Sequence, residues 1–226
     1  MILKSKLRKL ELRGTIIGMV LGDGSLSKPA NTKQNSRLSI GHSKKQESYL
    51  IHKFDRVQSL LKIPYKHKNY QVFNKKTNKK YSTVQGSTTV HRYLTKLRKL
   101  LYKNDTKTLT ERTLNYLTPE GLAYWYMDDG GVKVGWCKTK KCFKRASFLS
   151  TQSFTYEEHK IIQKWFMDKY QIECKIHNHG KGKFRICFNA TNSKKLFNII
   201  GPFVLDCMKY KLDLKYCDKG KEKETS

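Results

Sequence analysis

The chain has 226 residues, which is enough for one large domain or two small ones of about 100 residues each. Hydrophobic residues make up 38% of it and aromatic residues 12%, a composition that supports packed cores and excludes general disorder. Lysine and arginine number 47 against 18 acidic residues, which gives a formal net charge of +29. Because such an excess repels itself unless it meets a polyanion, it favours nucleic acid as the partner. An anionic membrane surface is the alternative, but no apolar stretch reaches the roughly 18 residues that a membrane span needs.

The first residues, MILKSKLRKLELRG, predict a short basic amphipathic helix and lack the uninterrupted apolar core of a secretory signal. All six cysteines lie in the second half and none forms a CxxC pair, which favours a reduced compartment. We do not expect a zinc site, because the spacings of the candidate ligands match no standard pattern. Those candidates are Cys137, Cys142, Cys174, His177 and His179.

The first half predicts helix, strand, strand, helix, strand, strand, helix. An apolar helical segment ends in IIGMVLGDG, and GSLSKPANTKQNSRLSIGHS follows it. The run QESYLIHKFDRVQSLLKI carries apolar residues at helical spacing and predicts the second helix. PYKHKNYQVFN and YSTVQGSTTV alternate in period two around KKTNKK, which predicts a β-hairpin, and RYLTKLRKLLYK predicts the closing helix.

The second half repeats this order. LAYWYMDDGG takes the place of the first motif, so that Asp129 corresponds to Asp23. The helical run TYEEHKIIQKWFMDKYQI follows, and Thr155 with Glu158 predicts a capping box at its start. IECKIHNH and KFRICFNA predict the second hairpin around GKG, and SKKLFNII predicts the closing helix.

This repeat predicts an α+β fold of two pseudo-symmetric αββαββα halves with antiparallel sheets. The first half spans residues 1–105 and includes the basic N-terminal helix. The second spans residues 106–226 and includes a basic C-terminal tail.

The strands of both halves predict a DNA-reading surface. One face of an antiparallel sheet packs on helices and the other is left open. Lysine and arginine suit phosphates and guanine edges, amide side chains suit adenine, and β-ribbons fit the major groove. For any single residue, a merely solvated lysine is the alternative. The candidates are Lys33, Arg37, Lys66, Lys68, Gln71 and Lys75 in the first half, and Lys133, Lys138, Lys140, Lys144, Arg145, Lys175, Lys183 and Arg185 in the second.

The two motif segments predict a pair of closely packed helices. A helix that is apolar nearly all round must be buried on most sides. Gly18 and Gly22 lie on one face, and each glycine costs about 1 kcal/mol relative to alanine in a helix, so a compensating close contact is expected. The natural contact is the other motif helix, which would place Asp23 and Asp129 side by side.

Two carboxylates at helix C-termini repel each other and the negative ends of the helix dipoles. Hard divalent cations relieve that conflict, because they bind carboxylates and the free carbonyl oxygens of a helix end. In a chain this basic, the combination suits metal-assisted hydrolysis of a phosphodiester. The alternative is that Asp23 and Asp129 merely begin turns before glycines.

Both segments resemble the LAGLIDADG motif of homing endonucleases, and the two copies resemble the monomeric, two-repeat subclass. The second motif with its flanks, NYLTPEGLAYWYMDDGG and STQSFTYEE, is the more specific match, and the first is the shorter IIGMVLGDGSL. The order of elements is similar to that family across essentially the whole chain. The resemblance implies a monomeric saddle on double-stranded DNA that cuts both strands and leaves 3′ overhangs.

The resemblance also implies a cofactor and site residues. The cofactor is Mg²⁺, for which Mn²⁺ substitutes, whereas Ca²⁺ binds without turnover. By position, Asp23 and Asp129 match the catalytic, metal-binding aspartates, and the carbonyls of Gly22 and Asp128 match supplementary metal contacts. The remaining matches are the basic residues Lys107 and Lys211 near each centre, and the polar residues His42 and Gln152 where strands enter helices.

Two further functions remain open at the level of sequence. The same fold serves as a maturase that binds intron RNA and assists splicing, and a decayed nuclease scaffold can act as a DNA-binding regulator. Retention of both aspartates favours the nuclease, because neither alternative needs them. Motif one has Gly22 where motif two has Asp128, which predicts that the two centres are not equivalent.

Overall fold

The computed structural model describes residues 2–29, 35–75, 78–137 and 141–213. The chain divides into two compact units, Met1–Asp128 and Asp129–Ser226. The DNA-binding candidates Lys33, Lys138 and Lys140 lie outside the described residues. The boundary of the sequence repeat at residues 105 and 106 stays a prediction.

The first unit begins with one repeat and continues into the motif helix of the next. Its helices and strands come in the predicted order, followed by a small extra hairpin and two helices. They are α1 Ile2–Leu21, β1 Gly24–Ser27, β2 Arg37–Ser43, α2 Glu47–Leu61, β3 Tyr65–Asn74, β4 Lys79–Thr88, α3 Arg92–Leu101, β5 Tyr102–Lys103, β6 Thr106–Lys107, α4 Glu111–Asn115 and α5 Pro119–Asp129.

The second unit contains the sheet and covering helices of the second repeat. A 3-10 segment, Asp206–Leu212, lies near the end of the described chain and packs beside the first strand of this unit, Gly130–Cys137. The strands and α-helices of this unit are β7 Gly130–Cys137, β8 Cys142–Leu149, α6 Tyr156–Tyr170, β9 Lys175–Asn178, β10 Phe184–Asn189 and α7 Ala190–Ile200.

The two four-stranded sheets share one topology. Their orders are β1-β2-β4-β3 and β7-β8-β10-β9, and every neighbouring pair is antiparallel. Gly24 pairs with Ile40 in the first sheet, and Gly130 pairs with Leu149 in the second, so the position after each aspartate has an equivalent partner. The predicted α+β fold of two repeated halves is confirmed.

Local sequence signals explain how the helices begin and what they bury. The capping box of α6 is present, since Thr155 accepts a hydrogen bond from the backbone N–H of Glu158, whose carboxylate accepts one from the N–H of Thr155. α2 buries Leu50, Phe54 and Val57 at helical spacing, as the sequence predicts.

Two local features differ from expectation. The short basic helix and the first motif form one continuous α1, because Gly14 is packed directly against Thr118 and does not end the helix. The segment after α3 forms the β5–β6 hairpin, whose two turn residues, Asn104 and Asp105, both have positive φ of 48° and 60°. Positive φ at both central residues is the geometry of a tight two-residue hairpin turn.

Candidate metal and nucleic-acid site

The site begins with the contact between α1 and α5. A Cβ atom placed on Gly18 would lie 1.9 Å from the carbonyl oxygen of Gly121, so the two backbones touch. A Cβ atom on Gly22 would lie 2.3 Å from Oδ2 of Asp128. Only glycine permits approaches this close. The predicted contact between the two motif helices is confirmed.

The carboxylate of Asp128 is buried in this contact and surrounded by donors. Lys53 Nζ lies 2.6 Å from Oδ1 and 2.8 Å from Oδ2, and both side chains are fully buried. The Tyr49 hydroxyl donates to Oδ1 at 2.8 Å, and the backbone N–H of Asp23 donates to Oδ2 at 3.0 Å. A buried charge is tolerated when it is paired and hydrogen-bonded in this way. Asp128 therefore ties α2 to the turn that carries Asp23.

Tyr49 acts in this cluster as a neutral donor. Burial, followed by the negative charge of Asp128, raises the pKa of the Tyr49 hydroxyl. The hydroxyl therefore keeps its proton and donates a hydrogen bond to the carboxylate of Asp128.

His42 connects the buried pair to Asp23. Its Nε2 lies 3.1 Å from Lys53 Nζ, and its Nδ1 lies 3.4 Å from Oδ2 of Asp23. The imidazole is buried, whereas 46% of the Asp23 side chain is exposed. Asp23, His42 and Asp128 each offer a potential ligand atom within 4.8 Å of the others, which makes them a cluster of three histidine and carboxylate side chains among the described residues.

Lys107 lies at the C-terminal end of α1, where the resemblance predicts a basic residue. Its Nζ donates to the carbonyl oxygens of Gly22 at 3.2 Å and Gly24 at 3.3 Å. The β5–β6 hairpin delivers this side chain, since Lys107 is the last residue of β6. A cationic group thus already rests on the carbonyl oxygens beside Asp23.

The second unit places different groups behind its aspartate. The carbonyl oxygen of Asp129 accepts a hydrogen bond of 2.9 Å from the N–H of Ser150. Thr151, the register equivalent of His42, is buried and bonds to Nε2 of His159 at 2.8 Å. Gln152 is half-buried in the turn that follows Thr151.

Lys211 is half-buried in the Asp206–Leu212 segment, which packs beside β7, the strand that begins directly after Asp129. The role of Lys211 near a catalytic centre stays a prediction.

The ladder register shows which candidate DNA contacts share the open faces. In β2, Leu38 and Ile40 are buried, so the residues between them point away from the helices. In the second sheet, Leu149 and Ile186 are buried and form a cross-strand pair, so they mark the face that packs on the helices and the residues beside them belong to the open face. The candidates on the open faces are Arg37, Lys66 and Lys68 in the first unit, and Lys133, Lys175 and Arg185 in the second.

The remaining described candidates occupy other positions. Gln71 lies three residues after Lys68 and therefore on the opposite face of the sheet, where it donates a hydrogen bond to Ser82 on the neighbouring strand. Arg145 follows the same alternation as the buried residues Ser147 and Leu149, so it also lies on the face that packs on the helices. The other three are Lys75 in the turn after β3, Lys183 just before β10, and Lys144, which pairs with Gly135 in β8. All of these contacts stay predictions.

Sequence reasoning missed Lys53 and Tyr49. A signal was present, because Lys53 occupies a position within the buried stripe that Leu50, Phe54 and Val57 define on α2. A lysine in such a stripe requires a buried partner, and Asp128, the carboxylate directly before Asp129, is that partner.

Comparison with known proteins decides the family. The model of the LAGLIDADG DNA endonuclease family matches residues 13–196. The chain belongs to this family. None of the described helices of this LAGLIDADG protein combines the length and apolar character needed to cross a membrane.

Individual relatives cover most of the LAGLIDADG chain. It is 30% identical over 202 residues to the probable intron-encoded endonuclease 1 of Wickerhamomyces canadensis, which is 88% of this chain and 82% of the relative. It is 28% identical over 207 residues to the DNA endonuclease I-ChuI of Chlamydomonas applanata, 87% of this chain and 92% of the relative. The homing endonuclease I-WcaI, solved bound to its DNA recognition sequence, matches with a TM-score of 0.76 at 28% identity, covering 90% and 86% of the two chains.

Proposed function

We propose that this LAGLIDADG protein is a site-specific double-strand DNA endonuclease that uses Mg²⁺ to hydrolyse phosphodiester bonds at a long target site and leaves 3′ overhangs. The observation that carries the proposal is the exposed carboxylate of Asp23 at the end of α1, beside carbonyl oxygens that already bind the ammonium group of Lys107. Family membership and the likeness to the DNA-bound I-WcaI support the choice of substrate.

The donors at this point fit a hard divalent cation. Asp23 offers carboxylate oxygens, and the end of α1 offers the carbonyl of Gly22. In the second motif the corresponding donors are Asp129 and the carbonyl of Asp128. Mg²⁺ held there supplies Lewis acidity toward a phosphodiester. Mn²⁺ should substitute for it, and Ca²⁺ should bind without supporting turnover.

The chain's own residues orient the Asp23 carboxylate and supply positive charge for a DNA phosphate. Asp128 holds the N–H of Asp23 and so fixes the turn in which the carboxylate sits. Lys107 supplies positive charge at the end of α1, where a phosphate of bound DNA gains a favourable electrostatic contact. Lys211 is proposed to serve the second motif in the same way.

The open sheet faces bind the duplex. Arg37, Lys66 and Lys68 lie on one, and Lys133, Lys175 and Arg185 on the other, and basic side chains of this kind bind phosphates and base edges. Both repeats are present in one chain, so we propose a monomer that needs no obligate protein partner. Intron RNA is the alternative substrate, and the retained aspartates favour DNA cleavage over a maturase role.

The decisive experiment is cleavage of a randomised double-stranded DNA library with Mg²⁺, with Ca²⁺ and with EDTA. Recurrent cuts at one long sequence with Mg²⁺ alone are expected. Asp23→Asn and Asp129→Asn should each abolish double-strand cleavage while changing DNA affinity by less than about tenfold, roughly 1.4 kcal/mol. Asp168→Asn, in an exposed ion pair on α6, is the matched control and should cleave normally.

Two outcomes would redirect the assignment. Tight binding of intron RNA with no DNA cleavage under any metal would favour the maturase. Loss of DNA affinity equal to the loss of cleavage in the aspartate variants would make those aspartates structural.

A further inference from the structure

The buried Lys53 determines the hydrogen-bonding state of His42. A lysine ammonium group carries three N–H donors and no acceptor. The Nζ atom of Lys53 lies within hydrogen-bonding distance of both carboxylate oxygens of Asp128 and of Nε2 of His42, at 2.6, 2.8 and 3.1 Å. In the contact with His42, lysine can only donate, so Nε2 must accept.

A ring nitrogen that accepts carries no proton. In neutral imidazole the proton then resides on the other nitrogen. For His42 that nitrogen is Nδ1, which faces Oδ2 of Asp23 at 3.4 Å. The ring therefore presents an N–H donor to the Asp23 carboxylate. This distance is longer than an ordinary hydrogen bond and lies within ion-pair range, so the contact is a weak electrostatic one that still favours an N–H facing the carboxylate.

The same bonds decide which member of the three-residue cluster is available to a cation. The Asp128 carboxylate is saturated by Lys53, Tyr49 and the N–H of Asp23. A protonated Nδ1 cannot ligate a metal, so His42 is excluded as a ligand through that atom. Asp23 remains, and its side chain is the exposed member of the cluster.

We infer that Lys53 is a positioning residue: it fixes His42 in the Nδ1–H tautomer, and His42 in turn orients the Asp23 carboxylate toward the cation. This inference rests on the proposed function for its catalytic consequence, but the tautomer is a property of the protein alone. Partners that orient metal ligands in this manner typically affect metal affinity or activity by about 10–100-fold.

The first test is a long-range ¹H–¹⁵N correlation spectrum of the full chain labelled with ¹⁵N-histidine, recorded without DNA or metal. The His42 signals are identified as those lost in His42→Gln. A bare Nε2 and a protonated Nδ1 are expected. An Nε2–H tautomer or a doubly protonated ring in the wild-type protein would overturn the inference, and this measurement requires no variant at Lys53 to fold.

The second test removes the donor without leaving a buried charge. Lys53→Met combined with Asp128→Asn keeps the side-chain volumes and abolishes both charges. The fixed Nδ1–H pattern should disappear, and kcat for DNA cleavage should fall by about 10–100-fold with KM changed less than threefold. Lys53→Arg, which also only donates, should retain the tautomer. An unchanged tautomer in the double variant would refute the role of Lys53, whereas a correct tautomer without any DNA cleavage would refute the nuclease alone.

Discussion

Replacing Gly18 by alanine should destabilise the protein, although alanine is the better helix former. The new Cβ atom would lie 1.9 Å from the carbonyl oxygen of Gly121, 2.4 Å from its carbonyl carbon and 2.6 Å from its Cα. All three are backbone atoms of α5, so no side chain can rotate out of the way. Restoring an ordinary contact of 3.4 Å would require the helices to separate by about 1.5 Å.

The expected loss follows from two opposing effects. At an unobstructed helix position, glycine to alanine stabilises by about 1 kcal/mol. Overpacking a well-packed core costs about 1–3 kcal/mol, and more where the backbone must move. Here the clash is backbone against backbone, so the upper end applies and the free energy of unfolding should fall by about 2 kcal/mol. For a chain of this size that corresponds to a Tm lower by about 4–8 °C.

Thermal and denaturant unfolding followed by circular dichroism measure this loss. Gly41→Ala is the matched control in the same unit, because the nearest atom to its new Cβ is the carbonyl oxygen of Val84 at 3.8 Å. The control should match the wild-type Tm or exceed it. A Gly18→Ala protein that is as stable as the wild type would show that α1 and α5 do not touch through their backbones, and the close helix contact would be refuted.

Three further outcomes are expected. Thr155→Ala should lower the free energy of unfolding by about 1 kcal/mol through loss of the α6 cap, whereas Ser153→Ala, two residues earlier, should leave it unchanged in the same melts. Lys107→Met should slow single-turnover DNA cleavage while altering the Kd for the target by less than about threefold, and equal losses in both would contradict its placement at the end of α1. Lys66→Ala on the open face should reduce the slope of log affinity against log salt by about one, whereas Lys99→Ala on α3 should not.

Periodicity made most of the fold predictable from the sequence. Apolar spacing on α2 and α6 and alternation in the strands are set by burial of one face, and burial is what an amino-acid pattern records directly. The close packing at Gly18 was also predictable, because glycine destabilises a buried helix unless a close contact leaves no room for a larger side chain. The β5–β6 hairpin was not, because two-residue strands are too short to show alternation.

The candidate site was predictable only in part. The resemblance to the family identifies Asp23 and Lys107 as candidates, and the structure places both at the end of α1, while their roles stay predictions. The pairing of Lys53 with Asp128 joins residues that are 75 positions apart, and no local pattern encodes a contact over that distance. A lysine in an apolar stripe signals that some buried partner exists, but only the tertiary structure identifies it.

The register of the two sheets shows where the halves diverge chemically. His42 and Thr151 occupy equivalent positions, and α2 and α6 each begin five residues later, so Lys53 corresponds to Ile162. A buried carboxylate requires a positively charged partner, and Lys53 is the partner of Asp128 in the first unit. At the equivalent positions stand Gly22, which has no side chain, and buried Ile162, and neither carries a charge.

This difference bears on how each aspartate is held. Asp23 is backed by a charged chain of donors that runs from Lys53 through His42. In the second unit the register equivalent of His42 is Thr151, which is hydrogen-bonded to His159, and Ile162 stands where Lys53 would be. Equal aspartates supported by unequal groups should differ in how firmly they are oriented. The asymmetry seen in the motifs as Gly22 against Asp128 therefore extends into the helices behind them, and it predicts that the two DNA strands are cut at different rates.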